Sequence, residues 1–167
     1  MQDLVRVAVD AMGGDHAPAS TVKGTVDALN KSQEISVFLV GQEDVIKKEL
    51  EQYTYPKERL TIVPASEIIE MAEPPVLAIR KKKDSSIVVG MKMVHNGEAD
   101  AFVSAGSTGA VLVGGQLVVG RVKGVERPPL APLIPTEKGF SLLIDFKSCI
   151  VSFIDMPPNL VFIIRSL

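Results

Sequence analysis

Residues Val7–Pro18 read VAVDAMGGDHAP, and this stretch predicts the first strand of the fold and the turn that follows it. The apolar, largely β-branched run from Val5 to Val9 ends before a pair of glycines, which is typical of a buried strand that leaves the sheet through a tight turn. Two interpretations of the turn stay open. It forms a backbone cradle for an anion, or Asp15 caps the following helix and His16 is a surface residue of that helix's first turn.

Strands and helices alternate beyond this turn. Strands are predicted at 5–9, 35–40, 60–63 and 100–104, and helices at 18–30, 42–52, 76–82, from Asp84 or Ser85 to 97, and 108–119. The last helix is apolar almost all round, which predicts a central position. An irregular connection over ERPPLAPLIPT (126–136) and one or two strands within GFSLLID (139–145) follow. The pattern predicts an α/β fold in which a parallel-rich sheet is covered by helices on both faces.

Composition excludes several classes of protein. The chain has 167 residues, 46% hydrophobic and 23% charged, which is typical of one globular domain. A net charge of −2 gives no basic field for nucleic acid, and the single Cys149 excludes an internal disulfide or a cysteine-based metal cluster. No signal peptide and no membrane-spanning run is predicted, so we expect a soluble, cytoplasmic protein without a metal site.

A second glycine-rich turn, SAGSTGA, occupies Ser104–Ala110. It follows a predicted strand and opens a helix, where backbone N–H groups favour an anion. The alternative is that Ser107 and Thr108 only cap the helix, and the spacing does not decide between the two. The turn lacks the lysine of a nucleotide-binding P-loop, and the chain has no GxGxxG dinucleotide motif.

Two further features could serve an anionic ligand. Asp10 ends the first strand at the sheet edge where open α/β sheets bind ligands, and His16 could donate a hydrogen bond or carry a proton there. The run RKKKD, Arg80–Asp84, is either a solvated helix end or a surface that attracts an anionic substrate or an acidic carrier protein.

Taken together, these stretches resemble the amino-terminal half of the phosphate acyltransferase (PlsX) family. The similarity is carried by VAVDAMGGDHAP, ASEIIEM, AIRKKKDSSIVVGM, ADAFVSAGSTGA, GRVKGVERPPLAPLIPT and LLID, in family order. It implies a fold similar to that of isocitrate and isopropylmalate dehydrogenases but without a nicotinamide or other cofactor. It also implies a cytoplasmic homodimer that visits the membrane surface and supplies phospholipid synthesis.

The reaction implied by the resemblance moves a fatty acyl group from acyl carrier protein to inorganic phosphate, giving acyl phosphate. Asp10, His16 and Ser107 are the expected catalytic residues. The expected phosphate- or substrate-binding residues are Gly13, Gly14, Asp15, Ser104, Gly106, Thr108, Gly109, Lys83, Ser85 and Ser86.

The resemblance ends at Asp145. We expect an α/β domain over residues 1–145 and a divergent tail over 146–167, so that only part of the family's usual length is present. A noncatalytic fragment that binds an anion or dimerises is therefore the alternative to an active acyltransferase.

Overall fold

The sheet of this protein is parallel and is built from the strands that the sequence predicts. The structure, a computed structural model, describes residues 4–121, 123, 133–136 and 139–142. Its strands are β1 Val5–Asp10, β2 Ile35–Gly41, β3 Leu60–Pro64, β4 Ala101–Val103, β5 Leu133–Thr136 and β6 Gly139–Leu142. The first four form one all-parallel sheet in the order β3-β2-β1-β4.

The helices are α1 Ala19–Lys31, α2 Glu43–Leu50, α3 Pro75–Lys81, α4 Ser86–His95 and α5 Thr108–Gly114. One turn of 3-10 helix, Lys57–Arg59, precedes β3, and a π-helical turn, Gly115–Val119, continues α5. The helix predicted over 108–119 is therefore α-helical only in its first part.

Helices cover both faces of the sheet. On one face, α1 and α2 bury Val22, Leu29 and Ile46 against Val37 and Leu39 of β2. On the other face, α4 packs on β1, β2 and β4, and α3 and α5 pack against α4. The alternation of side chains along β2 supplies apolar groups to both layers, which is the arrangement expected of a doubly covered parallel sheet. The predicted α/β fold is confirmed.

Two expectations about individual elements were wrong. The connection predicted to be irregular contains β5, which pairs with β6 as an antiparallel hairpin in the register Leu133↔Leu142 to Thr136↔Gly139. The helix predicted to be central is buried at Ala110 and Gly114, whereas Leu117 in its π-helical turn is 56% exposed. Among the described residues α5 packs on α3 and α4, and the exposed Leu117 shows that the predicted helix is not buried on all sides.

Arg59 fixes the end of α1 beside the start of β2. Its guanidinium donates hydrogen bonds to the carbonyl oxygens of Leu29 at 2.7 Å, Ser32 at 2.6 Å and Ile35 at 3.3 Å. Carbonyls at a helix C-terminus lack partners within the helix, so a cation with several donors stabilises this end. The tail predicted over 146–167 lies outside the described residues.

Candidate functional site

The strand order makes the gap between the carboxyl ends of β1 and β4 a candidate ligand-binding position. Successive connections move outward from β1 to β2 and β3, and the chain then returns to add β4 on the other side of β1. Open α/β sheets bind ligands at such a reversal, beyond the carboxyl ends of the strands. Asp10 ends β1 and Ser104 directly follows β4, so both residues lie at this position.

Asp10 and Ser104 are joined directly. The Ser104 hydroxyl donates to Asp10 Oδ2 at 2.7 Å, and the Met12 N–H donates to Asp10 Oδ1 at 3.1 Å. The Gly106 N–H in turn donates to Ser104 Oγ at 3.0 Å. Asp10 is only 1% exposed, and these donors offset the cost of burying its carboxyl group. Each strand end is thus held to the turn that follows it and to the other strand.

The two glycine-rich turns pack on each other. A Cβ at Gly13 would collide with Asp10 Oδ2 and lie 2.7 Å from the Gly106 nitrogen. A Cβ at Gly14 would lie 3.2 Å from the Cβ of Ala105, and Gly14 also has a φ of +102°, where side chains are strained. Gly13 is therefore required by the Asp10 carboxyl group and the backbone of Gly106, and Gly14 by its positive φ and the nearby Ala105.

The first turn is also anchored to α1. Thr21 Oγ1 lies 2.7 Å from the carbonyl oxygen of Ala11 and 2.8 Å from that of Pro18, and its single hydroxyl proton is shared between these two acceptors. The helix begins at Ala19 with Pro18 at its N-cap and has no side-chain cap. The interpretation in which Asp15 caps this helix is therefore wrong, because the helix begins four residues later. Asp15 and His16 are both exposed in the loop between β1 and α1.

Ser107 occupies the N-cap of α5. Its side-chain oxygen accepts a hydrogen bond from the Ala110 N–H at 3.3 Å, and the residue is buried. Ser107 therefore caps α5, and among the described residues its hydroxyl donates no hydrogen bond. Binding of an anion at the same turn stays a prediction. Thr108 is exposed at the first position of the helix. Gly109 instead meets α3, because a Cβ there would lie 2.7 Å from Pro75 Cγ.

In the basic run Arg80–Asp84, hydrogen bonds hold two of the four cationic side chains. Lys82 Nζ donates to the Ile68 carbonyl at 2.6 Å and forms an ion pair with Glu73, and Lys83 Nζ donates to the Ile79 carbonyl at 3.2 Å. The hydrogen bond from Lys82 holds the pKa of Glu73 below its ordinary value. Within the described ranges, Arg80 and Lys81 are exposed and form no ion pair.

The serines after the basic run lie at the start of α4. Ser85 caps that helix by accepting from the Val88 N–H at 3.4 Å, and its hydroxyl donates to the Lys82 carbonyl at 2.8 Å. Ser86 is 2% exposed. No hydrogen bond joins Lys83, Ser85 or Ser86 to either glycine-rich turn in the part of the chain that the structure describes. The structure thus brings together the residues of the two turns and leaves these three outside that contact.

Asp84, in the loop between α3 and α4, binds the segment that follows β3. Its Oδ2 accepts from the Ser66 hydroxyl at 2.5 Å and from the Ser66 N–H at 2.9 Å, and both bonds lower the pKa of Asp84. The Asp84 N–H donates to Glu67 Oε2 at 2.9 Å. This loop forms one side of a groove of about 460 Å³ whose other residues come from the start of α2 and the end of β3.

Two contacts at the site could not be predicted from the local sequence. Ala105 packs against Gly14, and Pro75 packs against Gly109. Proline at the start of a helix is explained by its fixed φ alone, so nothing in the local sequence indicates a partner 34 residues away. The paired glycines are the one signal that marks a close approach, and they do not name the partner.

Comparison with known proteins gives the family. The model of a family described as "Fatty acid synthesis protein" matches residues 5–150. The chain belongs to the fatty acid synthesis protein family. Among its relatives, the "Phosphate acyltransferase" of Alkaliphilus oremlandii is 52% identical over 141 residues, which are 84% of this chain and 42% of the relative. The "Phosphate acyltransferase" of Thermoanaerobacter pseudethanolicus is 48% identical over 84% of this chain and 41% of its own length.

The family assignment confirms the predicted resemblance to phosphate acyltransferases. The chain spans about two fifths of the length of the curated relatives it matches. Among solved structures, a phosphotransacetylase from Streptococcus pyogenes matches with a TM-score of 0.57 at 15% identity, over 83% of this chain and 46% of that one. At this identity the match supports the α/β fold alone. The more specific likeness to isocitrate and isopropylmalate dehydrogenases stays a prediction.

Neither a metal cluster nor a membrane-spanning helix is found in the described residues. No group of three or more His, Cys, Asp or Glu side chains there could hold a metal ion. No helix in those ranges has the length and hydropathy needed to cross a bilayer.

Proposed function

We propose that this chain is the phosphate-binding part of a phosphate acyltransferase, which moves a fatty acyl group from acyl carrier protein to inorganic phosphate. The observation that carries the proposal is the packing of Gly13 against Gly106 around the Asp10–Ser104 hydrogen bond. Two glycine-rich turns meet there at the point of the sheet where ligands bind. The family and the names of the relatives support the reaction class.

The proposed reaction needs no nucleophile from the protein. A phosphate oxygen attacks the carbonyl carbon of the acyl thioester, so that a C–O bond forms and the C–S bond breaks. The carrier's thiolate leaves with the electron pair of the C–S bond and takes up a proton. The product is an acyl phosphate. The protein's task is to position phosphate and to stabilise the negative charge that develops on the carbonyl oxygen.

Residues of the two turns fit this task best. Thr108 and the hydroxyl proton of Ser107 are the proposed donors to phosphate, together with backbone N–H groups of Gly13, Gly14 and Gly109. His16 is exposed in the loop between β1 and α1 and is proposed to carry the proton that the leaving thiolate takes up. Asp15 is the acidic neighbour of this histidine and is proposed to orient it.

Asp10 is proposed to position the turns rather than to transfer a proton. Its carboxyl group is buried and already accepts hydrogen bonds from Ser104 and Met12. A carboxylate facing phosphate directly would repel it. Ser104 and Gly106 complete the same network, so they hold the shape of the site while Ser107 and Thr108 contact the ligand.

The partners proposed from the resemblance are acyl carrier protein, phosphate and a second copy of the chain. The proposed location is the cytoplasm, with contact at the membrane surface where acyl phosphate enters phospholipid synthesis. Lys83, Ser85 and Ser86 are proposed to support substrate binding at the carboxyl edge of the sheet, because α4 begins there.

The test uses the whole chain with palmitoyl acyl carrier protein and phosphate. We expect palmitoyl phosphate, trapped as the hydroxamate, to form only when phosphate is present. Thr108→Val should slow its formation by roughly tenfold to a hundredfold, because one donor to the ligand is lost. Thr61→Val removes an exposed threonine of β3 and serves as the matched control, so its rate should stay that of the parent.

Phosphate binding is measured separately through the melting temperature. We expect phosphate, but not chloride at equal ionic strength, to raise the Tm of the parent chain, since a ligand of the native state stabilises it. A Tm rise without acyl transfer would support the noncatalytic anion-binding alternative. If phosphate neither raises the Tm nor supports acyl transfer, the proposed function is wrong.

A further inference from the structure

The outer face of α3 carries an unusual pair of features side by side. Val76 and Leu77 in its first turn are 45% and 52% exposed, and Arg80 and Lys81 in its last turn are exposed as well. At 100° per residue these four side chains share one side of the helix. A single short helix thus offers an apolar half and a cationic half to solvent.

The opposite side of α3 is buried against the rest of the protein. Ala78 and Ile79 are 3% and 1% exposed, and they belong to the cluster that joins α3 to α4 and α5. The start of the helix abuts α5, where Pro75 leaves no room for a Cβ at Gly109. The outer face therefore sits on a rigid support.

The start of α3 lies next to the candidate site. Pro75 contacts Gly109, which directly follows Ser107 and Thr108, and Val76 and Leu77 are the next two residues of α3. Since an α-helix rises 1.5 Å per residue, the Cα of Arg80 lies about 7.5 Å further along the axis than that of Pro75. The cationic end of α3 is thus separated by about one and a half helical turns from Pro75, the residue that contacts Gly109.

The charges of this face are available to a partner. In the run Arg80–Lys83, Lys82 is bound to Glu73 and Lys83 to a backbone carbonyl, whereas neither Arg80 nor Lys81 has an ion-pair partner among the described residues. Arg80 and Lys81 are adjacent, so their two positive charges lie close together on a chain whose net charge is −2. Cations at the rim of a surface steer an acidic partner and set its orientation.

We propose that the outer face of α3, formed by Val76, Leu77, Arg80 and Lys81, is the docking surface for the acidic carrier protein that delivers the acyl thioester. This inference rests on the proposed function, because the partner is its acyl donor. A membrane is the less favoured partner: the apolar part is two residues on a seven-residue helix, whereas helices that lie in a membrane interface bury a longer apolar face.

Binding of immobilised palmitoyl acyl carrier protein to the whole chain tests the cationic half. Arg80→Glu combined with Lys81→Glu should weaken the Kd by about tenfold at low salt, and the difference should shrink as salt rises. Lys31→Glu combined with Lys48→Glu is the matched control, since both lysines are exposed in the last turns of α1 and α2 on the other face of the sheet. It should change the Kd by less than about twofold.

Leu77→Gln tests the apolar half without changing charge. We expect it to weaken carrier binding several-fold, whereas Val45→Gln, at an exposed position of α2, should not. Circular dichroism melting confirms that each variant is folded. Equal loss in the test and control variants, or no loss in either, would overturn the docking surface.

Two further measurements distinguish the docking surface from the proposed phosphate site and from a membrane-binding site. Phosphate should raise the Tm of the Arg80→Glu, Lys81→Glu variant as much as that of the parent, because the turns are unchanged. If the parent binds phosphate and the carrier while this variant binds the carrier equally well, only the docking surface is wrong. A parent that binds neither overturns both proposals. Loss of binding to phosphatidylglycerol vesicles in this variant, with carrier binding intact, would assign the face to the membrane and overturn the proposal.

Discussion

The Ser104 hydroxyl donates a 2.7 Å hydrogen bond to Asp10 and so joins residues 94 positions apart. It connects the carboxyl ends of β1 and β4, the two strands on either side of the reversal in the sheet. Because Ser104 Oγ also accepts from the Gly106 N–H, one hydroxyl fixes both the buried carboxyl group and the second turn.

Removing that hydroxyl should destabilise the protein. Ser104→Ala leaves the buried Asp10 with one fewer donor, and we expect the free energy of unfolding to fall by about 1–3 kcal/mol. Urea unfolding followed by circular dichroism measures the change. Ser20→Ala, at an exposed position in the first turn of α1, is the control and should be close to neutral. Equal stability of the two variants would contradict a structural role for the Ser104–Asp10 hydrogen bond.

The contact between the two turns predicts opposite effects of the same substitution at two glycines. Gly13→Ala places a methyl group against Asp10 and the Gly106 nitrogen, so it should destabilise the protein and lower any Tm gain from phosphate. Gly24→Ala lies in α1 with nothing within 4 Å of the added methyl group. It should stabilise the protein by up to about 1 kcal/mol through helix propensity. Thermal unfolding of both variants checks the pair, and a stable Gly13→Ala variant would show that the turns can separate.

The sequence was sufficient for the four strands of the parallel sheet and for the fold class, because that information is local. The β-branched run at Val5 and the apolar run at Ile35 predict β1 and β2 to within one or two residues, and Ser85 was one of two predicted caps of α4. Alternation of strands with helices then favoured a parallel sheet. The glycines of the turns indicated close approach without identifying what approaches.

Local sequence patterns did not predict which distant segments pack or pair with each other. The interpretation in which Asp15 caps α1, one of the two that the sequence left open, was wrong because the chain continues through Pro18 before α1 begins. A capping residue is recognised only once the helix start is known. β5 was missed because Pro135 argues against a strand, yet a two-stranded hairpin has open edges where proline is tolerated. The contact of Pro75 with Gly109 depends on how α3 packs on α5, which no local pattern specifies.

Acid should release the loop held by Asp84. The Ser66 hydroxyl and N–H lower the pKa of Asp84 from its ordinary value of 3.8, so the folded state binds this proton more weakly than the unfolded state. The contribution to stability is therefore full above about pH 4 to 5 and is lost as the pH falls through the lowered pKa of the folded state. Asp84→Asn should lower the Tm at pH 7, and the difference from the parent should shrink toward pH 3. A difference that does not vary with pH would contradict this assignment.

A substitution at Ser107 can separate helix capping from ligand binding. Ser107→Ala removes the acceptor for the Ala110 N–H and should cost about 1 kcal/mol of stability, whereas Ser107→Asn restores a good N-cap. If the Ser107 hydroxyl also donates to phosphate, the asparagine variant should regain the parent's Tm in the absence of phosphate yet show a smaller rise when phosphate is added. Calorimetric melting of the parent and both variants, with and without phosphate, measures the two effects independently. Should Ser107→Asn keep the full rise, Ser107 acts as a cap only, and the contact with phosphate falls to Thr108 and the backbone N–H groups of the two turns.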